Sequence, residues 1–496
     1  MKHGCMTHLG RRALSLAAAC LMMGTGTAFA GGNAGMKITV QAENGVLLGG
    51  TKTMTYSGAG CVGNMSAEGS GVKVTLSVPT AGFYDVIVRQ ASEGGYKENY
   101  VEVDGERVGV VITESASWND STLQRVYMDA GIHEIAVVKS WGWVKIDTIS
   151  VTPSAQIPED VYDVSAKLVN PNATESTRRL MSYLSDCYGE VTLTGQYCDR
   201  GMYGNENAAI YKATGEYPAI LGLDMMDYSP SRVERGSKGT AVEKAITYVD
   251  KGGIVTFCWH WNAPSKYLKP NGLWYSGFYT DQTTISLSKI MNGQDPEGYQ
   301  LLLDDMDAIA AQLKILQEAD VPVLWRPLHE ASGGWFWWGA SGAEAYKQLY
   351  TLMYDRFTHV HGLNNLIWVW NGQDAAWYPG DEYVDFIGED IYAGERVYTS
   401  QAAKFLELLT YSKERKIIVL SENGSIPDPD LMQRDQAIWG FYATWGGEFV
   451  TVSSNLNKVS EKHTELSMLQ KVYSHEKTIT RSELPDLKTY PLPEEK

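Results

Sequence analysis

From about Asn172 onward, short and almost wholly apolar runs recur between segments of helical periodicity. No other feature restricts the chain as much. Eight such runs can be read, at residues 191–195, 218–223, 254–258, 322–325, 366–370, 384–387, 417–420 and 441–444. Strands covered on both faces lose the in–out alternation and read as continuous hydrophobic segments. Eight of them alternating with helices is the count of a closed parallel (β/α)8 barrel, expected here over residues 172–496. Residues 173–188 read as its opening amphipathic helix. The gap between the third and fourth runs is too long for one helix. Its early part, 264–298, is rich in Gly, Asn, Tyr and Trp and is expected to be a loop over the active face, where long loops are usually functional.

Two of these strands end in glutamate. Arg326-Pro327-Leu328-His329-Glu330 follows the fourth, and Ser421-Glu422-Asn423-Gly424 closes the seventh. The two carboxylates are 92 positions apart, and a β/α unit takes about 30 residues. Three units therefore separate them, which places both on the carboxyl-end face where barrel active sites lie. Four consecutive aromatics, Trp335-Phe336-Trp337-Trp338, are too crowded to share one core. Rings of this kind stack on sugar C–H faces, and a paired carboxyl protonates a glycosidic oxygen. A strand-end glutamate among packed aromatics is the ordinary alternative.

Residues 37–152 have a different texture. Alternating runs such as 72–78, 84–89 and 134–138 are separated by Gly- and Asn-rich turns, about ten in all, as in a β-sandwich. Residues 153–171, holding Pro153, Pro158 and Pro171, read as a linker. The expected organisation is therefore an amino-terminal all-β sandwich (31–152), a linker, and the barrel.

Residues 1–30 begin with Arg11-Arg12, continue through an apolar stretch and end in Ala28-Phe29-Ala30. This is the pattern of a secretory signal peptide cut between Ala30 and Gly31. The apolar stretch is short for a membrane anchor. A lipoprotein site at Cys20 fits poorly, since Leu21-Met22-Met23 follows it. Removing this segment changes the net charge from −17 to −20. That disfavours nucleic acid and acidic polymers as partners and suits neutral substrates. A monomeric secreted chain without membrane contact is expected. Of the four remaining cysteines, Cys258 lies inside an apolar strand and is expected as a buried thiol. Cys187 and Cys198 are the nearest pair, bridged or not.

Taken together, these motifs resemble glycoside hydrolase family 26, most of whose members are secreted β-mannanases. The resemblance covers about residues 160–490. It rests on Leu193-Thr194-Gly195-Gln196, Cys258-Trp259-His260-Trp261, the Arg326–Glu330 and Trp335–Trp338 motifs, Asp390-Ile391-Tyr392 and Ser421–Gly424. It implies that Glu330 is the general acid/base and Glu422 the nucleophile of a retaining double displacement, with no cofactor in the chemistry. It further implies sugar contacts from His260 and His329, a Tyr392 phenol holding the nucleophile ionised, and stacking surfaces at Trp335 and Trp445. Arg326, Trp338 and Asn371 are read either as substrate contacts or as ties between strand ends. Endo-acting β-1,4-mannanase is the leading activity. Mixed-linkage β-glucanase, β-1,3-xylanase and exo-acting mannobiohydrolase are its rivals within the family, because loops decide the sugar. A non-catalytic polysaccharide-binding protein is the rival from another class, and two intact glutamate motifs speak against it.

The amino-terminal region is similar to carbohydrate-binding module family 35, through residues 38–43, the turn at 56–60 and residues 141–151. That similarity implies a structural calcium site with Gln41, Glu43 and Asp147 as ligands, oxygen donors suited to that ion. Trp141 and Trp143, two apart on an expected strand, would face one side. They would stack on a sugar, or pack if that side is the core.

Overall fold

Alternating burial along the first third of the chain builds two antiparallel sheets packed face to face. The computed structural model describes residues 36–493, so the signal-peptide reading of 1–30 lies outside the described residues. One sheet carries strands Lys52–Tyr56, Ala59–Gly63, Val144–Pro153, Gly82–Ser92 and Asn119–Met128 in that order, with Ile38–Gln41 paired to Val144–Pro153. The other orders Val46–Leu48, Gly71–Val78, Gly131–Lys139, Lys97–Val103 and Glu106–Thr113. Val86 and Val88 from the first sheet meet a core shared with Val101, Val103, Ile135 and Val137 from the second. The two-residue turn Asp104-Gly105 has φ of +52° and +87°. Both central residues of a type I′ hairpin turn need positive φ, which Gly adopts without cost and Asp tolerates.

The second region is the expected barrel. Its strands are β1 (Gly195–Tyr197), β2 (Ile220–Asp224), β3 (Ile254–Cys258), β4 (Val323–Arg326), β5 (Leu366–Trp370), β6 (Phe386–Ile391), β7 (Ile417–Asn423) and β8 (Tyr442–Thr444). They form a closed barrel in sequential order, and Gln196 of β1 pairs with Thr444 of β8. The expected first strand is displaced. Thr192–Leu193 pairs with Thr478–Ile479 outside the barrel, and β1 begins only at Gly195. A Cβ on Gly195 would lie 2.2 Å from the Tyr442 carbonyl oxygen, so only glycine lets β1 approach β8. The opening helix, Glu175–Cys187, is capped by Thr174, whose hydroxyl accepts from the Thr177 amide. No helix among the described residues is long and apolar enough to cross a membrane.

Cys258 is a buried free thiol, and Cys187 and Cys198 are not bridged. The Cys198 thiol points instead at Glu206, 3.2 Å away.

The sandwich and barrel meet directly. Arg125, on strand Asn119–Met128, is buried, and its guanidinium lies 3.8 Å from the Phe83 ring centroid. Its Nε donates to the Asp435 carbonyl at 2.7 Å and its Nη2 to Gln436 Oε1 at 2.9 Å. The segment between the two regions is anchored as well. Tyr162 donates its hydroxyl to the Gln436 carbonyl at 2.6 Å and accepts from the Ile438 amide at 3.0 Å.

Candidate active site

The carboxyl ends of β2, β3, β4, β6 and β7 deliver the ionisable groups. Just beyond β4 the backbone adopts φ of +53° at Leu328 and +52° at Glu330. Left-handed non-glycine residues cost free energy and persist where the surroundings over-determine them. Here the Glu330 amide donates to both the backbone and side-chain oxygens of Asn371, at 2.8 and 3.1 Å. In β7 the pairing with β6 slips by one residue, so Asp390 faces Glu422 while Glu389 faces Leu420. Such a bulge re-aims side chains near active sites. One oxygen each of Glu330, Asp390 and Glu422 lies within 4.8 Å of the others.

Arg326, wholly buried at the end of β4, divides its donors among these groups. Nη2 donates to Glu422 Oε2 at 2.7 Å, Nη1 to Asp390 Oδ2 at 2.6 Å, and Nε to the Tyr197 hydroxyl at 3.1 Å. The Tyr392 hydroxyl donates to the other oxygen, Glu422 Oε1. Asp390 Oδ1 accepts from Asn371 Nδ2 and from the Ser421 hydroxyl, both at 2.8 Å. Arg326 and Asn371 therefore tie strand ends together, Arg326 by a direct bond to Glu422 and Asn371 through the Glu330 amide and Asp390. Burial, then the Glu422 and Asp390 charges, push the Tyr392 phenol far up, so it stays a donor.

Glu330 has the opposite surroundings. Its Oε2 accepts one bond, from Trp335 Nε1 at 2.9 Å. Burial, followed by the Asp390 and Glu422 charges, pushes its carboxyl up to about 9. At neutral pH it holds its proton, while the neighbouring Glu422 accepts from Arg326 and Tyr392. Two acids in such different surroundings can divide the roles of proton donor and nucleophile.

Around them stand the expected sugar contacts. Trp335 is 46% exposed. Trp445 is half-buried against Tyr197 and His260, with centroids 4.8 and 5.8 Å away. Tyr392 is also exposed along one edge. His329 is buried and packs 4.6 Å from His260. Burial, Arg326 and His260 push its imidazole well below the ordinary value, which keeps it neutral. The loop read as covering the active face does so. The Thr280 amide donates to the Trp335 carbonyl at 2.7 Å, and Tyr279 stacks on Phe336. The loop ends at Asp295, which caps helix Pro296–Glu318, three residues before the expected boundary.

Three readings need correction or completion. Trp338 is wholly buried and donates Nε1 to the His329 carbonyl at 2.8 Å, so it supports the histidine and cannot stack on a sugar. Trp141 and Trp143 lie in the connection between strands Gly131–Lys139 and Val144–Pro153, not on one strand. Gly142 and Trp143 take positive φ there, and the period-two argument does not apply. Both rings are exposed, at 56% and 49%, so neither packs in the core. Asp224, at the tip of β2, was not anticipated. Its Oδ2 lies 2.6 Å from His260 Nδ1. An acid closing a buried strand is the same signal that marks Glu330 and Glu422.

In the sandwich, Gln41 is paired with Thr148, the neighbour of Asp147, and Asp147 sits at a register slip. Glu43 Oε2 is buried with no hydrogen-bond partner, and a Cβ at Gly60 would crowd Glu43 Oε1 at 2.6 Å. A buried carboxylate oxygen left without a donor fits a cation ligand. Asp147 has one competing partner, Arg89 Nε at 3.2 Å.

The chain has known relatives along most of its length. Residues 169–483 match the model of glycosyl hydrolase family 26, and residues 38–154 that of carbohydrate binding module family 35. A mannan endo-1,4-β-mannosidase of Thermothelomyces thermophilus is 40% identical over 456 residues, 90% of each chain. Among solved structures, the Podospora anserina β-(1,4)-mannanase that joins the same two families is 38% identical. The match covers 91% of this chain and 99% of that one, with a TM-score of 0.64. A β-mannanase from a symbiotic protist of the termite Reticulitermes speratus, complexed with gluco-manno-oligosaccharide, matches 65% of this chain and 98% of its own. It is 32% identical, with a TM-score of 0.57. With the paired glutamates at the mouth of an eight-stranded parallel barrel, this chain belongs to glycoside hydrolase family 26 and carries an amino-terminal carbohydrate-binding module of family 35.

Proposed function

We propose that the chain is an endo-acting β-1,4-mannanase that hydrolyses mannan, glucomannan or galactomannan with retention of configuration. The observation that carries the retaining mechanism is the approach of the Glu330 and Glu422 oxygens to within 4.8 Å. Retaining enzymes hold their carboxyls about 5–5.5 Å apart, and inverting ones about 6.5–9.5 Å, to admit a water. In the first step Glu330 gives its proton to the glycosidic oxygen while Glu422 attacks the anomeric carbon. The glycosidic bond breaks and a glycosyl ester forms on Glu422. Glu330, now ionised, takes a proton from water, whose oxygen displaces Glu422. Arg326 and Tyr392 stabilise Glu422 as a carboxylate before attack and after release.

The mannan specificity is supported by the names of the relatives and by the aromatic surfaces beside Glu330. Trp141 and Trp143 are the proposed sugar-stacking rings of the module. Gln41, Glu43 and Asp147 would hold a calcium ion there, whose charge would stabilise the surrounding turn without entering the reaction. Export with cleavage after Ala30 is the proposed location, supported by the residue pattern of 1–30.

A product assay tests the reading. The chain from Gly31 is offered unsubstituted mannan, glucomannan, galactomannan, mixed-linkage β-glucan and β-1,3-xylan in parallel. A ladder of mannooligosaccharides from the mannans alone, released first as the β-anomer, is expected. Mannobiose alone would make the enzyme exo-acting. Cleavage of the glucan or xylan alone would overturn the substrate, and a first α-anomer would overturn retention.

A further inference from the structure

His260 lies at the cleft floor among Phe278, Phe336, His329 and Trp445. Its Nδ1 lies 2.6 Å from Asp224 Oδ2 and 3.9 Å from Cys258 Sγ. Nε2, on the opposite edge of the ring, has no protein partner among the described residues, whereas the buried Nδ1 of His329 is enclosed. The other oxygen of Asp224 is committed: Oδ1 accepts from the Met226 amide at 2.8 Å and from the His260 amide at 3.1 Å. Burial alone would push the Asp224 carboxyl up. His260 and these donors bring it below its ordinary range, so it stays an acceptor.

We propose that Asp224 is a positioning residue, which fixes the imidazole of His260 with the proton on Nδ1 and leaves the Nε2 lone pair facing the cleft as an acceptor for a sugar hydroxyl. The inference rests on the mannanase reading for its substrate but not for its tautomer. The second nitrogen of a histidine takes its role from the bond the first one makes. The two backbone amides make the consequence of a single substitution specific. In Asp224→Asn the amide oxygen must occupy the Oδ1 position, because two N–H groups point at it. The NH2 group is then left facing Nδ1. Nδ1 becomes an acceptor, the proton moves to Nε2, and the cleft receives a donor where it had an acceptor. The side chain is nearly isosteric, so geometry is preserved while the hydrogen-bond polarity is inverted.

Two measurements on the full chain test this. ¹⁵N NMR of histidine-labelled protein at a pH where the ring is neutral reports which nitrogen carries the proton. The His260 signals are identified by their loss in His260→Ala. The expected result is Nδ1–H in the parent and Nε2–H in D224N. Nε2–H in the parent would overturn the proposal, even if D224N failed to fold. The second measurement is kcat/KM on mannopentaose for the parent, D224N, H260A and the double variant. A contact whose hydrogen-bond polarity is inverted leaves polar groups mismatched, and a loss on the order of ten- to a hundredfold is expected for D224N in the parent. In the H260A background the same change should cost less than about threefold, since groups acting through one another are non-additive. Equal losses in both backgrounds would show that Asp224 does not act through His260. A parent that leaves mannopentaose intact would defeat the mannanase reading, and the NMR result would still decide the tautomer.

Discussion

Replacing Arg326 by methionine removes a cation that bridges Glu422 and Asp390. The substitution deletes three donated bonds, at 2.6, 2.7 and 3.1 Å, from a site where Arg326 and Asp390 side chains are fully buried and that of Glu422 is 7% exposed. Breaking a buried pair by removing one partner costs about 3–5 kcal/mol, since a charge is left buried without compensation. For a barrel of about 300 residues this lowers Tm by about 5–8 °C. The loss should depend on pH. Orphaned carboxylates bind protons more tightly in the folded than in the unfolded state, so the folded variant carries more protons. Its stability then falls as pH rises above the ordinary carboxylate range. Calorimetry at pH 5, 6.5 and 8 should show the deficit relative to the parent growing with pH. Hydrolysis should be lost most at the low end of this range, because a protonated Glu422 cannot attack. A deficit below about 2 °C, or one equal at all three pH values, would refute the claim that Arg326 compensates these two acids.

The raised Glu330 carboxyl predicts that kcat/KM declines above about pH 9. Trp335→Phe removes a donor to its ionised form, so that limb should move to higher pH; a downward shift would contradict the assignment. Glu422→Ala should leave a folded, polymer-binding chain without hydrolysis, and turnover near the parent level would remove Glu422 from the mechanism. In the module, Trp141→Ala should weaken retardation in mannan-containing gels while leaving kcat on mannopentaose unchanged; unaltered mobility would place the binding surface elsewhere. Calcium should raise the Tm of the parent and not that of Glu43→Gln, as read by thermal scans with and without chelator.

Much of the fold could be read from local pattern, because a strand buried on both faces must be apolar throughout. Ile254–Cys258 and Leu366–Trp370 have the bounds their sequences imply. The first strand did not, since Thr192–Leu193 is as apolar as Gly195–Tyr197 and no local pattern names the partner across the sheet. Glu330 and Glu422 were legible because a carboxylate at the tip of an apolar run has little structural excuse. Asp224 carries the same mark and became informative only when β3 brought His260 beside it. Trp338 misled for the converse reason. Residue type and neighbourhood suit a stacking ring equally well, and only the packing shows that Phe336, Trp337 and Trp338 share the core after all while Trp335 alone stays out.

Arg125, clasped by the Asp435 carbonyl and Gln436, changes what two grips on one polymer can achieve. Two sites on a floppy tether accept any spacing, and their gain fades only gradually with tether length. Sites locked to one another behave as calipers. A chain whose exposed stretches match the fixed span engages both sites, with almost no further entropy lost. A chain offering any other span gains nothing from the second grip. Discrimination among polymers of identical sugar chemistry would then follow from how far apart their accessible stretches lie, and loosening Arg125 would trade that selectivity for tolerance.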